Sequence, residues 1–389
     1  MFRALDRELK RFALQGRERR LSVTVRGQGA KVERGGKLFD DFTSFDYLKV
    51  AENPKVIRAA QQALERSGLG FSGTRTGIGS SRELVSLEER LARFYGQERA
   101  IVFSSRNQAL LALFSALVSE NDIIAFEETS LAPLYDAAYL LHAGVYPLPA
   151  LSFERLAELA ERSVTHPVLL FVDGLNPLTG LSIHGEQLVP LLGIDKRVHL
   201  VMDESYALAA LGDRGSGGLE AARFVHQHLT IVGGFGFGCP GYGGFIAGSS
   251  VLIEYVRQTS RAIEVEPPIP PSIAASVEES IDQLELGIAS RFKLVELAGL
   301  FRSKIALAGL KIDLAQRSPI TLLPVSSLNV GRELVTWLES KGILTELVSL
   351  KGVGRESYAL RIVFNSSISE LQIDRLACLI VETLGAKIG

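Results

Sequence analysis

The chain has little of the residue types that announce a special chemistry or compartment. Among 389 residues there are two cysteines, two methionines, one tryptophan and six histidines. Cys239 and Cys378 are too few and too far apart for a disulfide framework or a zinc site, which fits a reducing cytosol. Neither sign of charge dominates. Lys and Arg number 42 against 44 Asp and Glu, a formal net charge of −2, so nothing points to bulk nucleic-acid or acidic-membrane binding. No apolar run reaches the length of a membrane span. The N-terminus, MFRALDRELKRFALQGRERR, sets Phe2, Leu5, Leu9 and Phe12 near helical spacing among charges. It lacks the uninterrupted apolar segment of a signal peptide. There is no Walker A sequence, H-E-x-x-H, C-x-x-C or G-x-S-x-G. His226 and His228 have no third ligand in view and read as surface residues rather than a metal pair. These absences predict a cytoplasmic globular protein without nucleic-acid partner, membrane span or metal.

What is present is a core. Hydrophobic residues make up 47% of the chain and charged residues 22%, over a length that allows two domains. Strand-type runs alternate with helical patterns: AIVFSS (100–105), DIIAFEE (122–128), VYPLPA (145–150), PVLLFVDG (167–174), HLVMDES (199–205), LTIVGGF (229–235) and GGFIAG (243–248). Several are apolar without alternation, as strands buried on both faces are, and the alternation with helices predicts an open, mostly parallel α/β sheet. After the proline cluster EPPIPPS (266–272) comes a long helical segment. It is followed by ITLLPV (320–325), a helix at 329–341, GILTELV (342–348), YALRIVF (358–364) and a last helix at 369–384. That order predicts a smaller α+β domain. The expected division is an N-terminal helix and arm (1–54), a large domain (55–272) and a small C-terminal domain (273–389).

Ligands of open parallel sheets sit beyond the carboxyl ends of the strands. There the sequence places Ser104, Ser105, Glu127, Glu128, Asp173, Asp203 and Glu204, each of which alone also reads as a turn residue or helix cap. The glycine-rich stretch IVGGFGFGCPGYGGFIAG (231–248) ends a strand in the same way. Gly236, Gly238 and Gly241 satisfy G-x-G-x-x-G, but Pro240 and a second strand follow where a dinucleotide site needs a helix. The stretch contains no lysine.

Taken in order, the motifs resemble the α-oxoamine synthases, pyridoxal-phosphate (PLP) enzymes of the fold type I aminotransferase-like superfamily. SFDYLKVAENPKVIRAA (44–60) looks like S-N-N-Y-L-G-L…P-x-V-I-x-A-A. GFSGTRTGIGSS (70–81) looks like G-S-G-G-S-R-x-x-x-G, and RAIVFSSRNQALLAL (99–113) like the segment containing F-S-S-G-Y-x-A-N. DGLNPLTGLSI (173–183) resembles D-G-V-F-S-M-D-G-x-x-A, and MDESYALAALGDRGSG (202–217) resembles V-D-D-A-H-G-x-G-V-L-G-x-x-G-R-G. YALRIVFNSSIS (358–369) is similar to L-R-I-S-x-S-A-A-H-T. The resemblance covers nearly the whole chain. It implies a PLP-transferase fold with a seven-stranded, mostly parallel sheet and a smaller C-terminal α+β domain.

The same resemblance implies a disabled cofactor site. In G-T-x-S-K-A-x-G-x-x-G-G-Y-x-A-G the lysine forms the Schiff base with PLP; anchored on GGFIAG, it falls on Phe237, or on Gly236 with a one-residue gap. Phenylalanine supplies neither the amine nucleophile nor the general base. The ring-stacking histidine falls on Leu131 and the histidine of D-D-A-H on Tyr206. The phosphate-side G-Y after Ser105 becomes Arg106-Asn107, of which the arginine still suits an anion. The Ser/Thr flanking the lysine become Gly234 and Gly236, and the serine of S-M becomes Pro177. Asp203 survives at the position that pairs with the pyridinium nitrogen, and Arg361 at the position that binds a substrate carboxylate. Arg75 looks like retained scaffold near the substrate side. Asp203 reads equally as a strand-end cap and Arg361 as a strand-end surface cation.

The implied protein is a catalytically impaired or inactive homologue serving as a structural or regulatory subunit, with no covalent PLP. It would pair with a second copy or with a lysine-containing homologue. VEPPIPP (265–271) puts Glu266 and Pro267 where the family has the hydroxyls that contact a neighbouring subunit's phosphate. Two alternatives stay open: an acyl-CoA:amino-acid C-acyltransferase holding PLP non-covalently, and a binding module for a small anion or acyl chain.

Overall fold

Each of the seven expected strand runs forms a strand, and the reason is visible in how their side chains divide. The strands labelled here are β1 (Thr24–Arg26), β2 (Lys31–Arg34), β3 (Lys37–Asp41), β4 (Arg99–Phe103), β5 (Ile123–Glu127), β6 (Gly144–Leu148), β7 (Val168–Asp173), β8 (Val198–Asp203), β9 (Leu229–Gly234) and β10 (Gly244–Gly248). Four more follow: β11 (Ile320–Val325), β12 (Ile343–Leu344), β13 (Glu346–Gly352) and β14 (Arg355–Val363). In β7, Val168, Leu170 and Val172 enter one hydrophobic cluster, while Leu169 and Phe171 enter the other. A strand that feeds two cores has no polar face to alternate, hence its unbroken apolar run. The computed structural model describes residues 2–14, 21–119, 122–130, 136, 139, 144–148, 152–162, 167–188, 198–224, 229–352 and 355–388.

The large sheet has the order β4-β10-β9-β8-β7-β5-β6. Strands β6, β5, β7, β8 and β9 run parallel, and β10 lies antiparallel between β9 and β4. Asp173 and Asp203 are register partners, so two carboxylates end neighbouring strands side by side. The helix Arg106–Leu117 starts where β4 ends and packs Ala109, Leu110, Leu113 and Phe114 into one of the two clusters.

The segment after the proline cluster is not one helix. It breaks between Pro271–Glu285 and Ile288–Leu307, at Gly287, where an added Cβ would lie 2.7 Å from Leu48 Cδ1. The first piece packs against the helices Pro54–Ser67 and Arg82–Tyr95; the expected boundary at 272 falls at its start. The run GILTELV divides between two sheets. β12 pairs in parallel with β3, and after Thr345 the chain enters β13, which pairs with β14 in a three-stranded sheet ordered β11-β14-β13. β3 is held a second time by the last helix, because Asp40 accepts from Gln372 Nε2 (2.7 Å) and Arg375 Nη1 (3.0 Å). Among the described residues, no helix is long and apolar enough to cross a membrane.

Candidate active site

The carboxyl edge of the sheet gathers most of the expected residues, but in an arrangement the sequence did not disclose. Ser105 is the N-cap of the helix Arg106–Leu117, accepting from Gln108 N at 3.2 Å. Asn107, next on that helix, is exposed. Arg106 turns inward instead. Its Nε donates to Asp203 Oδ2 at 2.6 Å, and Nη2 donates to the same oxygen, both side chains being buried. The other oxygen of Asp203, Oδ1, accepts from Ser205 N at 2.8 Å. Burial alone would lower the Arg106 pKa, but the charge of Asp203 and its hydrogen bonds outweigh that and raise it.

The neighbouring carboxyl behaves differently. Asp173 is pushed up to about 7, first by burial and then by the charge of Asp203; Arg106 and a 3.0 Å bond from Ser130 Oγ oppose the rise. Glu204 is also pushed up to about 7 by burial, although it accepts from Gly218 N (2.7 Å) and Leu219 N (2.9 Å). An added Cβ at either Gly174 or Gly217 would lie 2.2 Å from its Oε2, so this carboxyl is wedged between two glycines that have no room for a side chain.

Phe237 and Tyr206, the positions matched to the family's lysine and histidine, are in contact. Their rings are 4.4 Å apart, and Phe45 meets Tyr206 at 5.0 Å and Phe237 at 5.9 Å. Burial pushes the Tyr206 phenol up to about 12. Tyr47 Oη donates to the Tyr206 carbonyl at 3.0 Å, which fixes this aromatic cluster from behind. Arg361 lies over the Phe45 ring at 5.0 Å and donates to Glu346 Oε2 (2.5 Å) and the Pro177 carbonyl (3.3 Å). Arg75 is a bidentate partner of Glu88, at 2.6 and 2.9 Å. Each arginine expected near an anion is therefore paired with a carboxylate of this chain. Three of the described lysines make their polar contacts elsewhere: Lys49 with Glu52, Lys293 with the Ser366 carbonyl, Lys304 with Asp374. Leu131, His226 and His228 lie outside the described residues.

The glycine-rich turn explains its own composition. Gly236 has φ 98°, and a Cβ on Gly238 would lie 1.8 Å from the Leu208 carbonyl oxygen. Gly234 is a different case. An added Cβ there would lie 2.9 Å from Arg106 Cβ and 3.3 Å from its Cδ, so Gly234 has no room for a side chain beside one at 106.

The profile of the aminotransferase class I and II family matches residues 41–378. The 8-amino-7-oxononanoate synthase of Geobacter sulfurreducens is 30% identical over 315 residues, 79% of this chain and 80% of that one. The chain belongs to the aminotransferase class I and II family, on its α-oxoamine synthase branch. The 8-amino-7-oxononanoate synthase of Methylorubrum extorquens is 29% identical over 366 residues, 94% of this chain and 91% of that one. A serine palmitoyltransferase from S. paucimobilis, solved with a bound PLP–myriocin aldimine, shares the fold with a TM-score of 0.89 at 22% identity, over 99% of this chain and 98% of that one. The architecture is thus the α/β PLP-transferase fold of type I.

This α-oxoamine synthase homologue keeps left-handed backbone at positions where it has no glycine. Among the described residues, four that are not glycine have positive φ, and three of them, Lys49 (57°), Ser72 (50°) and Ala209 (69°), stand where the matched motifs have Gly. Backbone geometry has been kept at positions where an L side chain is strained. A cofactor held as the resemblance implies needs Asp203 free to meet a ring nitrogen, yet Oδ2 is taken by Arg106 and Oδ1 by Ser205 N. The residues present do not fit that group. Phe45, Glu346 and Glu88 were missed by sequence reasoning. Phe45 alone left a signal there, as an aromatic where the matched motif has Asn.

Proposed function

We propose that this chain is a non-catalytic α-oxoamine synthase homologue that acts as a structural or regulatory subunit. The observation that carries this reading is the commitment of the two central positions to internal partners: Asp203 to Arg106, and Phe237 to Tyr206 and Phe45. Group transfer of the family's kind needs an amine nucleophile that afterwards serves as base, a role typically worth about 10²–10⁴ in rate. An aromatic ring at 237 offers neither. Arg361 lends further support, since its Nη2 donates to Glu346 and its Nη1 to the Pro177 carbonyl, where a substrate carboxylate would need both.

The working form is a dimer in the cytosol, with a second copy or a lysine-bearing homologue. The residues 265–267, exposed in the single chain, sit in the segment expected to face the neighbouring subunit. Glu266 there would repel a partner's phosphate, which favours a second copy or a partner with an altered site. The test is made on the unaltered purified chain. PLP binding is followed by absorbance and equilibrium dialysis, and thiol release is followed from acyl-CoA with serine, alanine or glycine. The expected result is no saturable PLP binding and no thiol above background. Tight PLP binding with thiol release would establish an enzyme and end this reading.

A further inference from the structure

We propose that Arg106 is a resident cation standing in for the cofactor's pyridinium, so that the chain carries a permanent occupant of its own cofactor slot. This rests on the non-catalytic reading and says what fills the space that reading leaves idle.

Three observations converge on it. The first is charge. Two guanidinium nitrogens meet one oxygen of Asp203, the carboxylate that the resemblance pairs with a protonated ring nitrogen. Asp173 ends the adjacent strand in register, so removing the cation would leave two buried carboxyls side by side. The second is path. Arg106 begins the helix Arg106–Leu117, at the place the resemblance gives to the phosphate end of the cofactor, and its tip reaches the carboxylate at the ring end. The side chain therefore runs the length of the expected ligand. The third is volume. The matched motifs have Gly at 106 and Ser or Thr at 234; here the side chain is at 106, and Gly234 has no room for a Cβ beside Arg106 Cβ (2.9 Å) and Cδ (3.3 Å). An incidental surface ion pair would require no such exchange of size.

A built-in occupant lowers apparent affinity by the fraction of time it stands aside. If the guanidinium leaves Asp203 in about 1% of molecules, PLP binds about a hundredfold more weakly than to an open slot. The experiment compares Phe237→Lys with Phe237→Lys/Arg106→Gly. PLP is titrated by absorbance, and borohydride reduction followed by mass spectrometry reads the adduct formed when the new amine condenses with the aldehyde and releases water. The expected result is an adduct in the double variant, with affinity at least about tenfold tighter than in Phe237→Lys alone. An equal adduct in Phe237→Lys alone overturns the proposal, and so does a folded double variant that forms none. Should Arg106→Gly not fold unaided, it is refolded with methylguanidinium. Recovery of native circular dichroism supports a vacated cation slot, and failure of both methylguanidinium and PLP to restore the fold overturns it. The two readings fail separately: thiol release by the unaltered chain removes the non-catalytic reading, whereas an equal adduct on Phe237→Lys alone removes only the role of Arg106.

Discussion

Gly234→Ala adds one methyl group and should cost far more than that group suggests. The new Cβ would lie 2.9 Å from Arg106 Cβ and 3.3 Å from Cδ, closer than carbon atoms settle. Arg106 cannot give way, because Cβ is next to the helix backbone and the far end is tied to Asp203. Overpacking of this kind costs about 1–3 kcal/mol, and a tethered neighbour puts the value near the top of that range. Arg106→Gly alone should cost about 3–5 kcal/mol, since it strands a buried carboxylate. The two losses are not expected to add. With Arg106 gone, the one left of the methyl's three nearest atoms is Ser205 Oγ at 3.4 Å, an ordinary distance, and alanine is the better strand residue by about 0.5–1 kcal/mol. The double variant should be no less stable than Arg106→Gly, a coupling of about 2–3 kcal/mol. Unfolding entropy of about 2.1 cal/mol/K per residue, over 389 residues, makes that coupling about 3 °C in Tm by circular dichroism. Additivity within about 0.5 kcal/mol would show that Arg106 and Gly234 do not share space, and the size-exchange argument would fall with it.

Three further outcomes are expected. Asp203→Asn should destabilise the chain by about 3–5 kcal/mol in urea unfolding, because Arg106 is then buried beside a neutral amide; a loss below about 0.5 kcal/mol would mean the pair is loose. Asp173 and Glu204 bind protons more tightly folded than unfolded, so stability should fall as pH rises from about 4 through about 7. Asp173→Asn should flatten that slope in Tm measured from pH 5 to 8, and an unchanged slope would clear Asp173 of the role. Ser72→Gly should stabilise by about 0.5–1 kcal/mol, the relief of a left-handed serine less the added freedom of the unfolded chain, while Ser72→Val should destabilise.

The fold was legible because its signals are local. Strands that feed two cores read as unbroken apolar runs, and all seven runs of the large sheet fell where the strands are. Where a run serves two partners, the signal fails. GILTELV has one hydrophobic pattern but sends Ile343 and Leu344 to β3 and the residues from Glu346 onward to β14. The long helix after the prolines also fails, since nothing in its own pattern marks the break at Gly287, whose close neighbour Leu48 lies far off in sequence. At the site, the sequence exposed the missing amine directly, at Phe237. It left the direction of Arg106 undecided, because an arginine at a helix start looks the same whether it faces an anion or turns onto a carboxylate 97 residues away. The same holds for Arg361 and Arg75, whose partners Glu346 and Glu88 belong to no motif.

The tie between β3 and the far end of the chain sets an order of assembly during synthesis. β3 gains its parallel neighbour only when Ile343 and Leu344 emerge, and Asp40 gains Gln372 and Arg375 after a further stretch, 332 and 335 residues behind it. At about 5–20 residues per second the early hairpin waits roughly 15–60 s with one edge open, Leu38 exposed upon it. The large sheet, complete by Gly248, can close in that interval. The nascent chain is thus built from its middle outward, and a product truncated before residue 343 would carry an unpaired strand edge of the kind that recruits other chains.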